Sequence, residues 1–395
     1  MSRLSIILAL GTAQTLAWAS SYYLLAIIAD AVARDLHMTA TAVFAAFSAS
    51  LVLSALAGPR VGRTIDRFGG REVLAVSNIL FAGGLALLAV SQSMAVFGLA
   101  WLVIGIAMGL GLYDAAFAAL TRIYGSSARG AITGITLLAG FASTIGWPLT
   151  SWAMEAYDWR TACLGWAGAH LVVGLPLNLF VLPKQRRTAV DETQPGMKPQ
   201  IPMDATMWLL AFALAAGWVV STGMAAHLPR ILLDAGTPPA QAIMAAALVG
   251  PGQVAARVAE ASLLRHHHPL LSARLCTLAH PVGSLLLLGL GGVMAMPFTL
   301  LHGAGNGILT IARGTVPLAV FGQENYGYRL GLLGAPARLA QAAAPLAFGL
   351  LIERYGARTL VASSALCLAA LAALLAVAAQ THNAHEPKFR TGQGS

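Results

Sequence analysis

Charged and hydrogen-bonding residues are scarce in this chain, and where they interrupt apolar runs their spacing is informative. Asp114, in Gly-Leu-Tyr113-Asp114-Ala, is the only acid well inside a long apolar run of the first half. In the second half His302, Asn306 and Arg313 recur at intervals of four and seven, with Thr310 between them. Arg338 and Gln341 stand three apart, and Gln253, Arg257 and Glu260 form a further stripe. Such intervals place each set on one face of a helix. A carboxylate in apolar surroundings is suited to carrying a proton, or it is one half of a fixed ion pair. An arginine offers a planar fork that takes a carboxylate in two parallel hydrogen bonds. Arg313 and Arg338 therefore suggest a site for an anionic group, and a helix–helix hydrogen-bond network is the competing reading. Arg257 is expected to pair with Glu260 along its own helix, and His302 to be a satisfied hydrogen bonder. Trp18, Tyr22, Trp218 and Ser221 fall at mirrored places in the two halves. They either contact an organic ligand or pack against neighbouring helices.

The elements that hold these residues must be membrane helices. Of 395 residues 57% are hydrophobic and only 10% charged, against roughly 25% charged in soluble domains. The net charge of +9 is spread over short loops, with no basic face or run, so nucleic acid is not the expected partner. About 20 mostly apolar residues span a bilayer. Twelve such segments can be drawn: 5–29, 40–59, 73–92, 96–121, 131–152, 161–182, 206–228, 240–261, 271–291, 296–320, 330–352 and 359–380. The N-terminal run exceeds the ~7–15 residues of a signal-peptide core and is read as a retained first helix. The polar, Pro-rich stretch 183–204 divides the chain into a six-helix bundle over 1–182 and a second over 205–382, with a tail over 383–395.

Lys and Arg fix the expected orientation. With both termini inside, seventeen of the 24 fall on the inner side and five on the outer, while Arg313 and Arg338 lie within helices. A multi-pass protein of a bacterial inner (plasma) membrane with cytoplasmic termini is expected.

The two halves also repeat each other. Glu155-x-Tyr157-x-x-Arg160-Thr161 returns as Glu353-x-Tyr355-x-x-Arg358-Thr359, displaced by 198. Trp18-x-x-Ser21 returns as Trp218-x-x-Ser221, and Gly109-x-Gly111 as Gly305-x-Gly307, displaced by 200 and 196. Three matches in chain order at nearly one displacement indicate a duplicated six-helix unit, with a site at the repeat interface.

The loop after the second segment reads Gly62-Arg63-Thr64-Ile65-Asp66-Arg67-Phe68-Gly69-Gly70-Arg71. It resembles the loop 2–3 signature of the major facilitator superfamily, G-x-x-x-D-R-x-G-[RKG]-[RK], with Gly62, Asp66, Arg67, Gly69 and Arg71 at the matching positions. Gly62 would let helices approach closely, Asp66 could pair with a nearby Arg, and Gly69-Gly70 would allow a tight turn. Within the chain, Gly134, Gly140 and Gly146-Trp-Pro148 look like the glycine–proline motif of facilitator antiporters, with Trp147 interposed. Asp158-Trp159-Arg160 is similar to the Gly-Trp-Arg of bacterial monocarboxylate-type carriers, with one departure. The second-half counterpart of the loop motif keeps only Arg257 and Glu260.

The resemblance implies an all-α integral membrane protein of twelve helices in two pseudo-symmetric bundles. It implies segments one, four, seven and ten around a central cavity, a loop motif serving conformational switching, and a chain that works as a monomer. The implied activity is secondary transport of a small solute by alternating access, and the lone acid Asp114 is the candidate for coupling it to protons. The arginines favour an anionic organic solute such as a monocarboxylate. Efflux of toxic compounds, drugs or arsenicals, is the alternative that the segment-five glycines favour. The chain carries no GxxxxGK[ST] for ATP and no D-x-x-x-D within a segment for magnesium-held pyrophosphate. It is therefore not expected to be an enzyme, nor to need a cofactor. Cys163, Cys276 and Cys367 lie in three different segments without a C-x-x-C, and His266-His267-His268 reads as a solvated loop, so no metal site is expected.

Overall fold

The computed structural model describes residues 2–185 and 200–385, and every regular element among them is a helix. A bilayer offers the backbone no hydrogen-bond partner, so each crossing must satisfy its own N–H and C=O groups. Nine helical runs are long and apolar enough to cross. Three of them, Met94–Ala156, Pro269–Phe321 and Tyr326–Gln380, are 63, 53 and 55 residues long and hold two crossings each. All twelve expected segments are therefore present, as two pseudo-symmetric sets of six, in a multi-pass membrane protein. An even number of crossings puts both ends of the chain on one side, called here the terminal side. Arg186, Arg187 and Lys198 of the linker, and residues 386–395 with Lys388 and Arg390, lie outside the described residues.

Several crossings are broken, and the breaks shape the interior. Segment one consists of Arg3–Ser20 and Leu25–Asp35. The hydroxyls of Ser20 and Ser21 fold back onto the carbonyls of Leu16 and Ala17, a contact that bends helices. Segment four consists of Met94–Gly111 and Tyr113–Tyr124, with Leu112 extended between them. That break frees the Gly111 carbonyl, which Gln14 Nε2 satisfies at 2.5 Å. It also puts Asp114 in the first turn of the second piece, where the positive end of the helix dipole favours a carboxylate. Segment seven is the unbroken helix Ala205–Asp234, segment ten is Ala295–Phe321 and segment eleven is Tyr326–Tyr355.

The halves meet from the terminal side up to mid-depth. Segment two, within Ala40–Phe68, lies against segment eleven over two glycine contacts. Gly62 faces the Gly327 carbonyl with no room for a Cβ, and Gly58 and Gly331 are opposed one turn deeper. Gly69, at φ +90, closes segment two in a conformation that favours glycine. A hydrogen bond between the halves also runs from Gln341 Nε2 to Tyr22 Oη, 3.0 Å, near the middle of segment eleven. The protein is thus closed on the terminal side.

Candidate functional site

The central site is a buried charge cluster that spans both halves. Asp114, Arg313 and Arg338 are 7%, 7% and 8% exposed. Both guanidinium groups donate through Nη2 to the same oxygen, Asp114 Oδ2. Of the two alternatives left open by the sequence, a proton-bearing acid and a paired acid, the pairing is present: the partners of Asp114 are the two arginines expected to receive an anion. One carboxylate against two guanidiniums leaves a surplus positive charge. Asp114 Oδ1 and Arg338 Nη1 are buried with no hydrogen-bond partner. Unmatched charge at this depth costs several kcal/mol, so the cluster is suited to accept a further anion.

Two glycines make room for it. A Cβ on Gly334 would lie 3.0 Å from Asp114 Oδ2 and 3.2 Å from Arg313 Nη2. One on Gly58 would lie 3.1 Å from Arg338 Nη1. Neither was legible as a site residue, although Gly334 precedes Arg338 by one helical turn. Trp218 forms a wall, with the Arg313 guanidinium 5.3 Å from its ring centre.

The remaining expected residues divide into two groups. Tyr22, bonded to Gln341, packs against Trp18 at 5.3 Å, and Trp18 in turn against Tyr113 at 5.0 Å. This aromatic group flanks Asp114 through its neighbour Tyr113. Ser221 donates to Asn306 Oδ1 at 2.8 Å. His302 meets His280, a residue not singled out from the sequence, Nδ1 to Nδ1 at 3.1 Å. These four surround a recess in the second half. Cys276 and Cys367 line the same recess, while Cys163 is buried in segment six, so the three thiols do not meet.

One expectation needs correction. Arg257 does not pair with Glu260. It reaches the carbonyls of Gly307 and Thr136, at 3.3 and 3.0 Å, under Gly140. Glu260 takes Arg129 from the start of segment five at 2.7 Å, because segment eight is wound as a π turn over Glu260–Leu264 and presents the acid to the other half. Asp66 has Arg122 close enough to act on its charge, as expected, and it has two further partners that the sequence did not show. It accepts from the backbone N–H groups of Gly327 and Tyr328, at 2.8 and 2.7 Å, and so caps the start of segment eleven. In the His266–His268 loop, His268 Nδ1 accepts from Leu270 N at 3.2 Å and caps segment nine, Pro269–Leu290. Among the described residues no three His, Cys, Asp or Glu are grouped to hold a metal.

Residues 10–345 match the sequence pattern of the family described as Major Facilitator Superfamily. No curated protein matches the chain. Among solved structures, the human organic anion transporter MFSD10 (TETRAN) superposes with a TM-score of 0.71 at 18% identity, covering 95% of this chain and 100% of that one. The transporter FucP in its outward conformation gives 0.73 at 15% identity, over 94% and 98%. The proton:xylose symporter XylE gives 0.67 at 12%, over 94% of each. Identities this low speak for a shared fold.

Proposed function

The chain belongs to the major facilitator superfamily and is a membrane transport protein; from that premise we propose that it moves a small anionic organic solute by alternating access, coupled to protons. The observation that carries this reading is the single oxygen of Asp114 holding two arginines of the opposite half. With no solute bound, Asp114 neutralises part of their charge. A solute carboxylate competes with Asp114 for the same donors. A proton on Asp114 removes its charge and weakens its hold, leaving the two forks to the solute. Proton and anion then favour each other's binding, as symport requires. The reading is supported by the buried, unpaired Arg338 Nη1 and by the location of all three groups where the halves meet. One structural neighbour is itself an organic anion transporter and another a proton symporter, which is compatible with this chemistry on this fold.

Orientation follows from the Lys and Arg asymmetry. The terminal side is cytoplasmic, the protein sits in a bacterial inner membrane as a monomer, and the described conformation opens outward. Asp66 and Glu260 are the latches of that conformation, and the bundles 1–182 and 205–382 are the moving bodies. Efflux of toxic compounds remains the alternative if the solute proves cationic.

The test is ligand affinity of the purified protein for organic acids and their uncharged amides, in wild type, Arg313→Lys and Arg338→Lys. Acids should bind and amides should not. Each lysine, which keeps the charge but loses the fork, should weaken acid binding roughly tenfold, the value of about one charge-assisted hydrogen bond. Equal binding of acid and amide would overturn the anionic reading.

A further inference from the structure

The recess in the second half is distinct from the charge cluster. It lies between segments seven, nine, ten and twelve, and its free space is about 420 Å³ including the mouth. The part that water can occupy has room for roughly three molecules. That is space for one end of a small solute, not for a whole one. No charged side chain lines it.

One assignment of hydrogens satisfies every polar contact of its wall. Ser363 Oγ donates to the Leu360 carbonyl at 3.1 Å, so it accepts from His280 Nε2, 2.8 Å away. With Ser363 so turned, and with Ser284 Oγ accepting from the same side at 3.4 Å, His280 carries its proton on Nε2 and its Nδ1 is an acceptor for His302 Nδ1–H, at 3.1 Å. His302 is left with a bare Nε2, an acceptor with no protein partner among the described residues, on a ring that is 5% exposed and lines the recess. Asn306, one turn along the same helix face, receives Ser221 on Oδ1 and keeps its Nδ2 donors free. A neutral acceptor and a neutral donor a turn apart fit a hydroxyl-bearing carbon chain: one hydroxyl donates to His302, another accepts from Asn306. Asn306 and Arg313 are seven residues apart, about 10.5 Å of helix rise. The Arg313 side chain leans back toward the helix start and shortens that gap. The two places thus lie within about two turns of one another along the same helix.

We propose that this recess is a second subsite that binds the uncharged, hydroxylated end of the solute, so that the solute is a hydroxylated organic acid rather than a plain fatty or aromatic acid. The acid end of this assignment rests on the anion reading given above; the hydroxyl end rests on the recess alone.

Cys276 and Cys367 in the wall provide the reporter, and Cys163 in the other half the internal reference. The full chain in nanodiscs is treated with the small neutral reagent methyl methanethiosulfonate, with modification read at each cysteine by mass spectrometry. Gluconate, hexanoate and sorbitol serve as probes, and melting temperature is followed in parallel. Cys276 and Cys367 should react at least tenfold faster than Cys163. Gluconate should slow both at least fivefold, whereas hexanoate should raise the melting temperature without protecting them. His302→Phe and Asn306→Leu should each abolish protection by gluconate while leaving the hexanoate shift intact. Three results would overturn the subsite: hexanoate protecting as well as gluconate, gluconate raising the melting temperature without protection, or recess thiols no more reactive than Cys163. Protection by sorbitol with no effect of either acid would keep the subsite and remove the anion reading. No effect of any probe would remove both.

Discussion

The two six-helix bundles repeat sequence patterns but are packed differently. In the first half one continuous cluster of buried apolar residues runs from Ile6 through Trp101 and Phe117 to Trp166 and Leu182. In the second half Leu318, Tyr326 and Leu330 join that first cluster, and the other clustered apolar residues separate into two. One lies near the terminal side around Met207 and Val316, the other toward the far side around Phe298 and Phe348. The polar recess occupies the level between them. The first half supplies one acid to the centre, and the second supplies both arginines, Asn306 and His302. The first copy is thus the scaffold that presents a carboxylate, and the second holds the polar groups at the level between its two apolar clusters.

The harshest way to break this division of labour is to remove the acid. Asp114→Ala leaves two guanidiniums buried without a counter-charge, which should cost about 3–5 kcal/mol of stability and reduce uptake at least a hundredfold. Adding Arg338→Ala should return part of the stability and none of the transport, with thermal unfolding and proteoliposome uptake as the readouts. If the single and double variants melt alike, the two groups are not coupled as the structure describes.

The two latches come next, one from each copy. Asp66 holds two backbone N–H groups of the other half, and Asn can accept in only part of that geometry. Asp66→Asn should shift the balance between facing states by about 2 kcal/mol, some thirtyfold, cutting turnover while leaving ligand binding largely intact. Glu260→Gln breaks a pair whose Arg129 is 20% exposed and should cost about 1 kcal/mol, or fivefold. Turnover measured in both variants orders them, and an equal or reversed order would contradict the view that the first copy carries the principal latch.

How much of this was legible follows from the distances involved. The twelve crossings were readable because each needs about 20 consecutive apolar residues, a local property. The loop motif was readable for the same reason, and its Gly62 and Gly69 act as their residue type requires. Asp114, Arg313 and Arg338 could each be singled out as polar groups in apolar runs. That one oxygen takes both arginines could not, since the partners are 199 and 224 residues away. Arg257 and Glu260 show the opposite error: neighbours three apart invite pairing, yet the acid takes Arg129, 131 residues distant. His280 carried the same signal as His302, an imidazole inside an apolar segment, and could have been found by it. The interruption at Leu112, which gives Asp114 its helix terminus, had only the preceding Gly109 and Gly111 as a hint.

The smallest expected difference lies on the far side, where the repeated E-x-Y-x-x-R-T pattern places Asp158 in one copy and Gly356 in the other. Asp158 caps segment six by accepting from Thr161 N at 2.6 Å, and that bond holds its carboxyl below the ordinary range. Gly356 instead ends segment eleven at φ +54. Asp158→Ala should cost about 1 kcal/mol and Asp158→Gly only a few tenths, by thermal unfolding. Because the folded-state pKa is lowered, this contribution is fully present above the unfolded value near 3.8 and is lost as pH falls through the lower, folded one. Between pH 5 and 8 the cost of Asp158→Ala should be constant.

The central claim, that proton and anion meet at Asp114, is tested most directly by flux under a proton gradient. Proteoliposomes are loaded at pH 7.5 and diluted into medium at pH 6 or pH 7.5 with a radiolabelled, membrane-impermeant organic acid that binds the wild type. The account predicts that wild-type protein accumulates the acid above equilibrium only when the outside is acidic. It predicts that Asp114→Asn exchanges the acid at a rate indifferent to the gradient. Wild-type uptake that is the same at both outside pH values, or an Asp114→Asn protein that still accumulates, would contradict it.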